Sequence, residues 1–501
     1  MRDRAEHSSR PRSPGNGKAR SVSQQLGTWL RAQRQARAWD VPEMARQLTK
    51  AAGGARGALP SRDSLVSYVR RWERGECGVS ERYKLLYCAA LSIKPEQFGR
   101  VSPAAESPPG SDAPYVRDSD SYPASNLGFL ASVQQLAEAL GHECQADFMR
   151  AEHDRSAELA GVAGGEGLLD TVEHVAFGRP AQIPSAGGVP RIDQEHVTQI
   201  QATTAVFRQW DNEFGGGLRR RAVVGQLSEA AALLGGPFRD EHTGRRFFSA
   251  VSDLAQLAGW MTFDLHMHAT AQRYYLLGLR LARDAGDRAQ VARMLYCVAR
   301  QMVDLGEQRD ALDLAQAGLY AIRRSPAPKA TAMLRIIEAR AYACMGDAEE
   351  CHRALGIAQD VFSRAGTDTD PAWCAFFDEG ELCGLVGVTL RDLALADPDH
   401  ARDHAAGAGP WIERAVSQRP RAYLRSKILD LDGLAVTTLL LGEPEGAADL
   451  AMSAISLARE VASSRVTSRL RRTVLLAEQR FPGAHGVAEL GEQVRALAHQ
   501  G

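Results

Sequence analysis

Small residues recur at a near-fixed interval through the C-terminal half of the chain. Gly259, Ala299, Ala339, Gly380 and Ala435 stand 40, 40, 41 and 55 residues apart. Seven residues after the last four comes a glycine: Gly306, Gly346, Gly387 and Gly442. Twelve residues after stand Ala271, Ala311, Cys351 and Ala447, and nineteen after stand Gly278, Gly318, Ala358 and Ala454. Between these positions the apolar residues keep helical spacing almost to the C-terminus. Two antiparallel helices need small side chains where their axes come closest, and a residue that stops the first helix before the second begins. The pattern therefore predicts a stack of helix pairs, with Gly259, Ala299, Ala339, Gly380 and Ala435 as packing positions. The longest interval is assigned to an insertion, "ADPDHARDHAAGAGP".

The pattern resembles the tetratricopeptide repeat, lengthened from about 34 residues to about 40. That resemblance implies an α-solenoid with a concave groove. Such a groove takes an extended peptide, a partner's helix or another effector. The expected fold class is all-α: a small helix-turn-helix head followed by tetratricopeptide-like helix pairs.

Composition divides the rest. Residues 1–20 read as a disordered basic tail, 21–100 as a compact helical head, and the Pro/Ser/Asp-rich 101–126 as a linker. Residues 127–245 form a helical connecting region, within which 164–190, rich in Gly and Pro, reads as irregular. The repeats occupy 246–480, and 481–501 form a tail or capping helix. The net charge of −1 hides an asymmetry: residues 1–100 hold 20 basic against 9 acidic side chains, the remainder 40 against 52. A basic head on an acidic body implies that the head meets a polyanion. Because arginines number 54 and lysines 6, a bias expected of a GC-rich genome, it is their placement that matters.

In the head, "SLVSYVRRWERGE" (64–76) concentrates that charge. At about 100° per residue, Leu65, Val69 and Trp72 share one face, and Ser67, Arg70, Arg71 and Arg74 fall opposite, with Glu73 to the side. A solvated face usually mixes signs; this one carries three arginines and no acid. Arginines so presented can read guanine edges or neutralise phosphates. Upstream, "DVPEMARQL" offers Asp40 and Glu43 as a capping box. Leu26, Trp29 and Leu30 mark the inner face of a first helix, and Tyr83, Leu86, Tyr87 and Ala90 that of a last one.

"VPEMARQL", "SYVRRWERGE" and "ERYKLLYCAALSI" together resemble the Cro/cI-type (xenobiotic-response-element) helix-turn-helix regulators, with "WERG" the most specific piece. The resemblance implies that Ser67, Tyr68 and Arg71 face base edges of double-stranded DNA. It makes Arg70 and Arg74 phosphate contacts and braces Glu73 against Arg34. The chain departs from the family at "TKAAGGARGALPSRD", longer than the usual turn. The combination resembles bacterial regulators that fuse such a head to helical repeats.

Other fragments are set aside. "HEC" (142–144) lacks the second histidine of a zinc helix, "HMH" (266–268) reads as a loop pair, and "EFGGG" (213–217) lacks the lysine of a phosphate loop. The eight cysteines show no CxxC spacing and fit reduced, packed thiols. No nucleophile–base arrangement stands out, so neither enzymatic activity nor a cofactor or metal is expected. No apolar run reaches the ~18 residues of a membrane span, and the basic tail has no signal-peptide core, so the expected location is cytoplasmic. The expected function is a sequence-specific DNA-binding transcriptional regulator whose repeat domain senses a ligand or partner and dimerises, because one head reads only a few base pairs; the alternative is an interaction scaffold in which the repeats recruit partners.

Overall fold

A computed structural model describes residues 29–31, 33, 34, 37, 39, 41–51, 65, 66, 69, 72, 73, 86, 87, 90, 91, 132–149, 161–181, 192–214, 219–324, 327–366, 370–461 and 463–500. The chain falls into two compact units, Met1–Pro114 and Tyr115–Gly501. The tail (1–20) and the proposed linker (101–126) lie outside the described residues.

In the first unit, α1 (Val41–Ala51) buries Met44, Ala45 and Leu48. These join Leu30, Leu65, Val69, Trp72, Tyr87 and Leu91 in one apolar core. Trp72 meets Tyr87 edge-on, with ring centroids 5.9 Å apart. The segment through 65–73 thus turns its Leu65–Val69–Trp72 face inward, as its periodicity predicts. Glu43 accepts a hydrogen bond from Gln47 Nε2 at 2.9 Å and pairs with Arg46 at 2.7 Å. Asp40, its expected capping partner, lies outside the described residues, as do Leu26 and Tyr83.

The second unit begins with α2 (Val133–Met149), α3 (Gly165–Phe177), α4 (Gln194–Phe214) and α5 (Arg220–Leu233). The finding of α3 corrects the reading of 164–190 as irregular. Leu168, Val172, Val175 and Ala176 recur at helical spacing and are buried; the flanking glycines and prolines had masked them.

Six antiparallel helix pairs follow: α6 (Glu241–Asp264) with α7 (His268–Ala285), α8 (Arg288–Leu305) with α9 (Gln308–Ile322), and α10 (Pro328–Met345) with α11 (Ala348–Ser363). Then come α12 (Glu379–Ala396) with α13 (Ala401–Gln418), α14 (Leu424–Leu441) with α15 (Pro444–Ala458), and α16 (Ser464–Arg480) with α17 (Val487–Gln500). The pairs therefore run from 241 to 500, wider than 246–480, and the C-terminal segment forms the second helix of a pair.

The turns explain the repeat. Gly306, Gly346 and Gly442 each close a first helix with φ of 88°, 78° and 90°, a left-handed conformation that lacks a Cβ penalty only in glycine. In the first pair His266 takes the same role with φ 63°. At the close approaches, a Cβ on Gly259 would stand 2.6 Å from the Tyr275 ring, and one on Gly278 2.6 Å from Met294. Ala299, Ala339 and Ala435 are fully buried.

Gly380 does not belong to this set. It lies in the first turn of α12, and Gly387 sits mid-helix rather than at a turn. There a Cβ would overlap Ile412 and stand 3.1 Å from its backbone nitrogen, so Gly387 is the close approach of the fourth pair. The turn falls at Asp397, which makes Leu390 the counterpart of Ala299. The insertion also moves: "ADPDHARDHAAGAGP" folds into a short 3-10 turn and α13, and the extra residues precede α12, at 364–378. Two glycines seven residues apart reproduced the spacing by coincidence.

The region before the repeats covers their first end. Every residue of α7 is buried, beneath α2 and α3 on one side and α6 and α8 on the other. Two of its polar residues reach the covering helix: Arg273 Nε donates to Glu143 at 3.0 Å and Tyr274 Oη to Asp147 at 2.7 Å. Asp147 also pairs with Arg220 of α5. An end pair with an apolar outer face needs such a cover.

Candidate functional site

The head residues expected to touch DNA, Ser67, Tyr68, Arg70, Arg71 and Arg74, lie outside the described residues. The structure does bring Arg34 and Glu73 together. Arg34 Nε donates to Glu73 Oε1 at 2.6 Å and Nη2 to Oε2 at 2.7 Å, while Nη1 donates to the Trp39 carbonyl at 2.7 Å. Arg31 Nη2 adds a bond of 3.1 Å to the Glu73 carbonyl. Both partners of the main pair are buried. A bidentate guanidinium–carboxylate contact fixes two planes against each other, so it holds Glu73 against the segment that carries Arg34.

In the second unit, the chemistry gathers on the first helices of the pairs. The residues after Gly259, Ala299, Ala339 and their counterpart Leu390 line the interior: Trp260, Arg300, Arg340 and Arg391, at corresponding places in four successive pairs. Carboxylates lie beside them. Arg340 spans two, with Nη2 3.1 Å from Asp304 and Nε 2.8 Å from Asp392. Arg391 also pairs with Asp392. Burial alone would raise the Asp304 carboxyl, but Arg340, Arg465, Arg300 and Arg469 outweigh it and hold it at about 2.

The last pairs reach across to the first. Arg425 of α14 donates through Nη1 and Nη2 to Asp211 of α4 at 3.1 and 3.0 Å, and lies 3.5 Å from Asp264 of α6. Arg465 of α16 stands over the Trp260 and Phe263 rings, 5.6 and 5.4 Å from their centroids, with Arg300 over Trp260 at 5.2 Å. Such cation–π contacts each contribute about 1 kcal/mol, more when desolvated.

These contacts divide the interior into two chambers, of about 150 Å³ and about 810 Å³. Asp304, Arg340, Arg465 and Arg469 line both and form the partition. The wide chamber also takes Arg391, Arg472, Asp392 and Asp432, with Phe263, Val436 and Leu476 as apolar surface. Arg469 Nε approaches Asp432 at 3.5 Å, and Thr473 donates to that carboxylate at 2.6 Å. Not every donor is satisfied. Arg391 Nη1 and Arg465 Nη1 are buried with no hydrogen-bond acceptor. Burial, and then the Arg300 guanidinium, push Arg465 down to about 10.

Sequence reasoning missed this site. The signal was present as an arginine directly after the packing residue, in "VAR" (298–300) and "EAR" (338–340). His266 and His268 line the wide chamber too, with Nδ1 of one 3.3 Å from Nε2 of the other. The "HMH" pair is thus part of the chamber wall as well as a turn. Cys344 lies there beside Asp392; burial and that carboxylate push its thiol up to about 11, so it remains protonated. Glu143 of "HEC" is committed to Arg273. Among the described residues no three His, Cys, Asp or Glu side chains are grouped to hold a metal ion. No described helix is long and apolar enough to cross a membrane.

No protein-family model matches the chain, and comparison with curated proteins gives no match. Among solved structures, it is similar to an array of nearly identical TPR-like repeats described as a kinesin light chain of Podosopora anserina. Identity is 18% and the TM-score 0.28, covering 42% of this chain and 97% of that one. A variant of the same array gives 17% and 0.29, covering 42% and 96%.

Proposed function

We propose that the chain is a DNA-binding transcriptional regulator whose helical-repeat body senses a ligand or partner and dimerises. The observation that carries this reading is the inward commitment of Leu65, Val69 and Trp72 to the head core. By sequence spacing at about 100° per residue, Ser67, Arg70, Arg71 and Arg74 belong to the face opposite those three. The excess of basic over acidic residues in 1–100 and the buried Arg34–Glu73 brace support the same reading. One such head spans only a few base pairs, so two heads on half-sites about one helical turn apart need a dimer contact in the body.

The test is binding of the full chain to random duplex DNA across a salt series. Neutralised phosphates release counterions, and the affinity should fall steeply with salt, with a log–log slope near −0.9 per contact. A flat response would leave the scaffold reading, in which the repeats recruit proteins and the head only packs. Sedimentation with and without a bound site then reads the dimer.

A further inference from the structure

The interior of the repeat body gathers guanidinium groups around its wide chamber. Five arginines line the wide chamber against three aspartates. His268 does not add to that charge at neutral pH, because burial and then His266 push it down to about 4. Counted over these lining residues alone, the wall carries an excess of about two positive charges, with Asp264 a further carboxylate 3.9 Å from Arg465 Nε. Two of its guanidinium N–H groups, Arg391 Nη1 and Arg465 Nη1, are buried without an acceptor, although Arg391 and Arg465 are only 3% and 8% exposed. A buried donor left unsatisfied is destabilising, and more so when it is charged. An oxyanion in the chamber would remove that cost.

The partition limits what can enter. A through-running extended peptide needs an open groove along the axis, and the contacts of Arg425 with Asp211 and of Arg465 with Trp260 lie across it. A chamber of about 810 Å³ with apolar surface from Phe263, Val436 and Leu476 suits a compact ligand.

We propose that the wide chamber binds a small organic molecule through a dianionic tetrahedral oxyanion, of the phosphomonoester or sulfate type, held by Arg391 and Arg465 with Arg472 at the chamber wall. The dianion matches the excess charge, and the apolar wall takes the organic part. This deepens the reading of the body as the sensing half and rests on it.

The experiment uses the full chain without DNA, so its outcome is separate from that of the salt series. Inorganic phosphate is titrated with protein and followed by phosphorus-31 line broadening at fixed ionic strength. Melting is compared in phosphate, sulfate, succinate and chloride. The expected result is line broadening, and stabilisation by phosphate and sulfate beyond succinate and chloride. Arg391→Gln and Arg465→Gln should each weaken binding about tenfold or more, the effect of losing one charge-assisted bond. Arg472→Gln, at an exposed position, should weaken it less and leave apo melting unchanged. General salting effects of sulfate and phosphate persist in the variants, whereas a site effect does not. Absence of broadening, equal broadening by wild type and all three variants, or succinate outperforming phosphate would overturn the proposal. If the two buried variants do not fold, undiminished binding by Arg472→Gln overturns its part and normal loss supports it.

Discussion

Arg34 grips Glu73 through two nitrogens, at 2.6 and 2.7 Å, inside the core of the head. The acid that stands in sequence among Arg70, Arg71 and Arg74 is thus consumed internally. Glu73→Gln leaves a buried guanidinium facing a neutral amide, and should destabilise the head by about 3 kcal/mol. Hydrogen exchange of α1 in the full chain measures it, because α1 belongs to the same core. Protection in α1 that is indifferent to the substitution would mean the pair orients nothing.

Base reading and phosphate contact separate at neighbouring arginines. Arg71→Ala should cost ~1–3 kcal/mol on the specific site and relax base preference at one position. Arg74→Ala should weaken all sequences alike and reduce the salt slope by about one. Binding assays on a specific and a random duplex distinguish them. Unchanged affinity and preference for Arg71→Ala would show that this residue is not at a base edge.

The corrected register of the fourth pair makes a sharp contrast between two glycines. Gly387→Ala forces a methyl into Ile412 and should destabilise the body by about 2–3 kcal/mol. Gly407→Ala, mid-helix in α13 with nothing within 4 Å, should stabilise it by up to ~1 kcal/mol. Urea unfolding of both variants gives the comparison. Similar behaviour of the two would return Gly387 to a turn.

His268 sets a pH window. Burial, then His266, push it down from 6.5 to about 4, with Asp304 opposing. Between those values the unfolded chain holds more protons than the folded one. Stability is therefore full above about 6.5 and is lost as pH falls toward 4, by at most ~3 kcal/mol. His268→Gln should flatten that limb of the stability profile. Denaturant midpoints at pH 7, 5.5 and 4.5 show it, and parallel profiles would exclude His268 as the source.

Much of the architecture was legible because glycine and alanine act through geometry. Gly259 stands at a close approach, Ala299, Ala339 and Ala435 are buried, and Gly306, Gly346 and Gly442 lie at left-handed turns, where few residues substitute. The fourth pair misled because Gly380 and Gly387 repeat the spacing while serving other needs. His266 shows the converse: a left-handed turn kept without glycine. The chamber was illegible for a different reason. Arg300, Arg340 and Arg391 look like surface arginines in a chain with 54 of them, and only the packing of successive helix pairs encloses them.

Linear repeat stacks touch only their neighbours, so they fray from the termini and can lose units one at a time. In this body Arg425 and Arg465 clasp the late helices to α4 and α6. Loss of the last two pairs would strand Asp211 and Asp264 and take Arg465 from Trp260 at the other end, so fraying is no longer a local event. The two ends share one fate, and the body should melt in a single step. A molecule that slips between the clasping residues would loosen both ends together, giving a signal bound at the centre a direct route to the outermost helices.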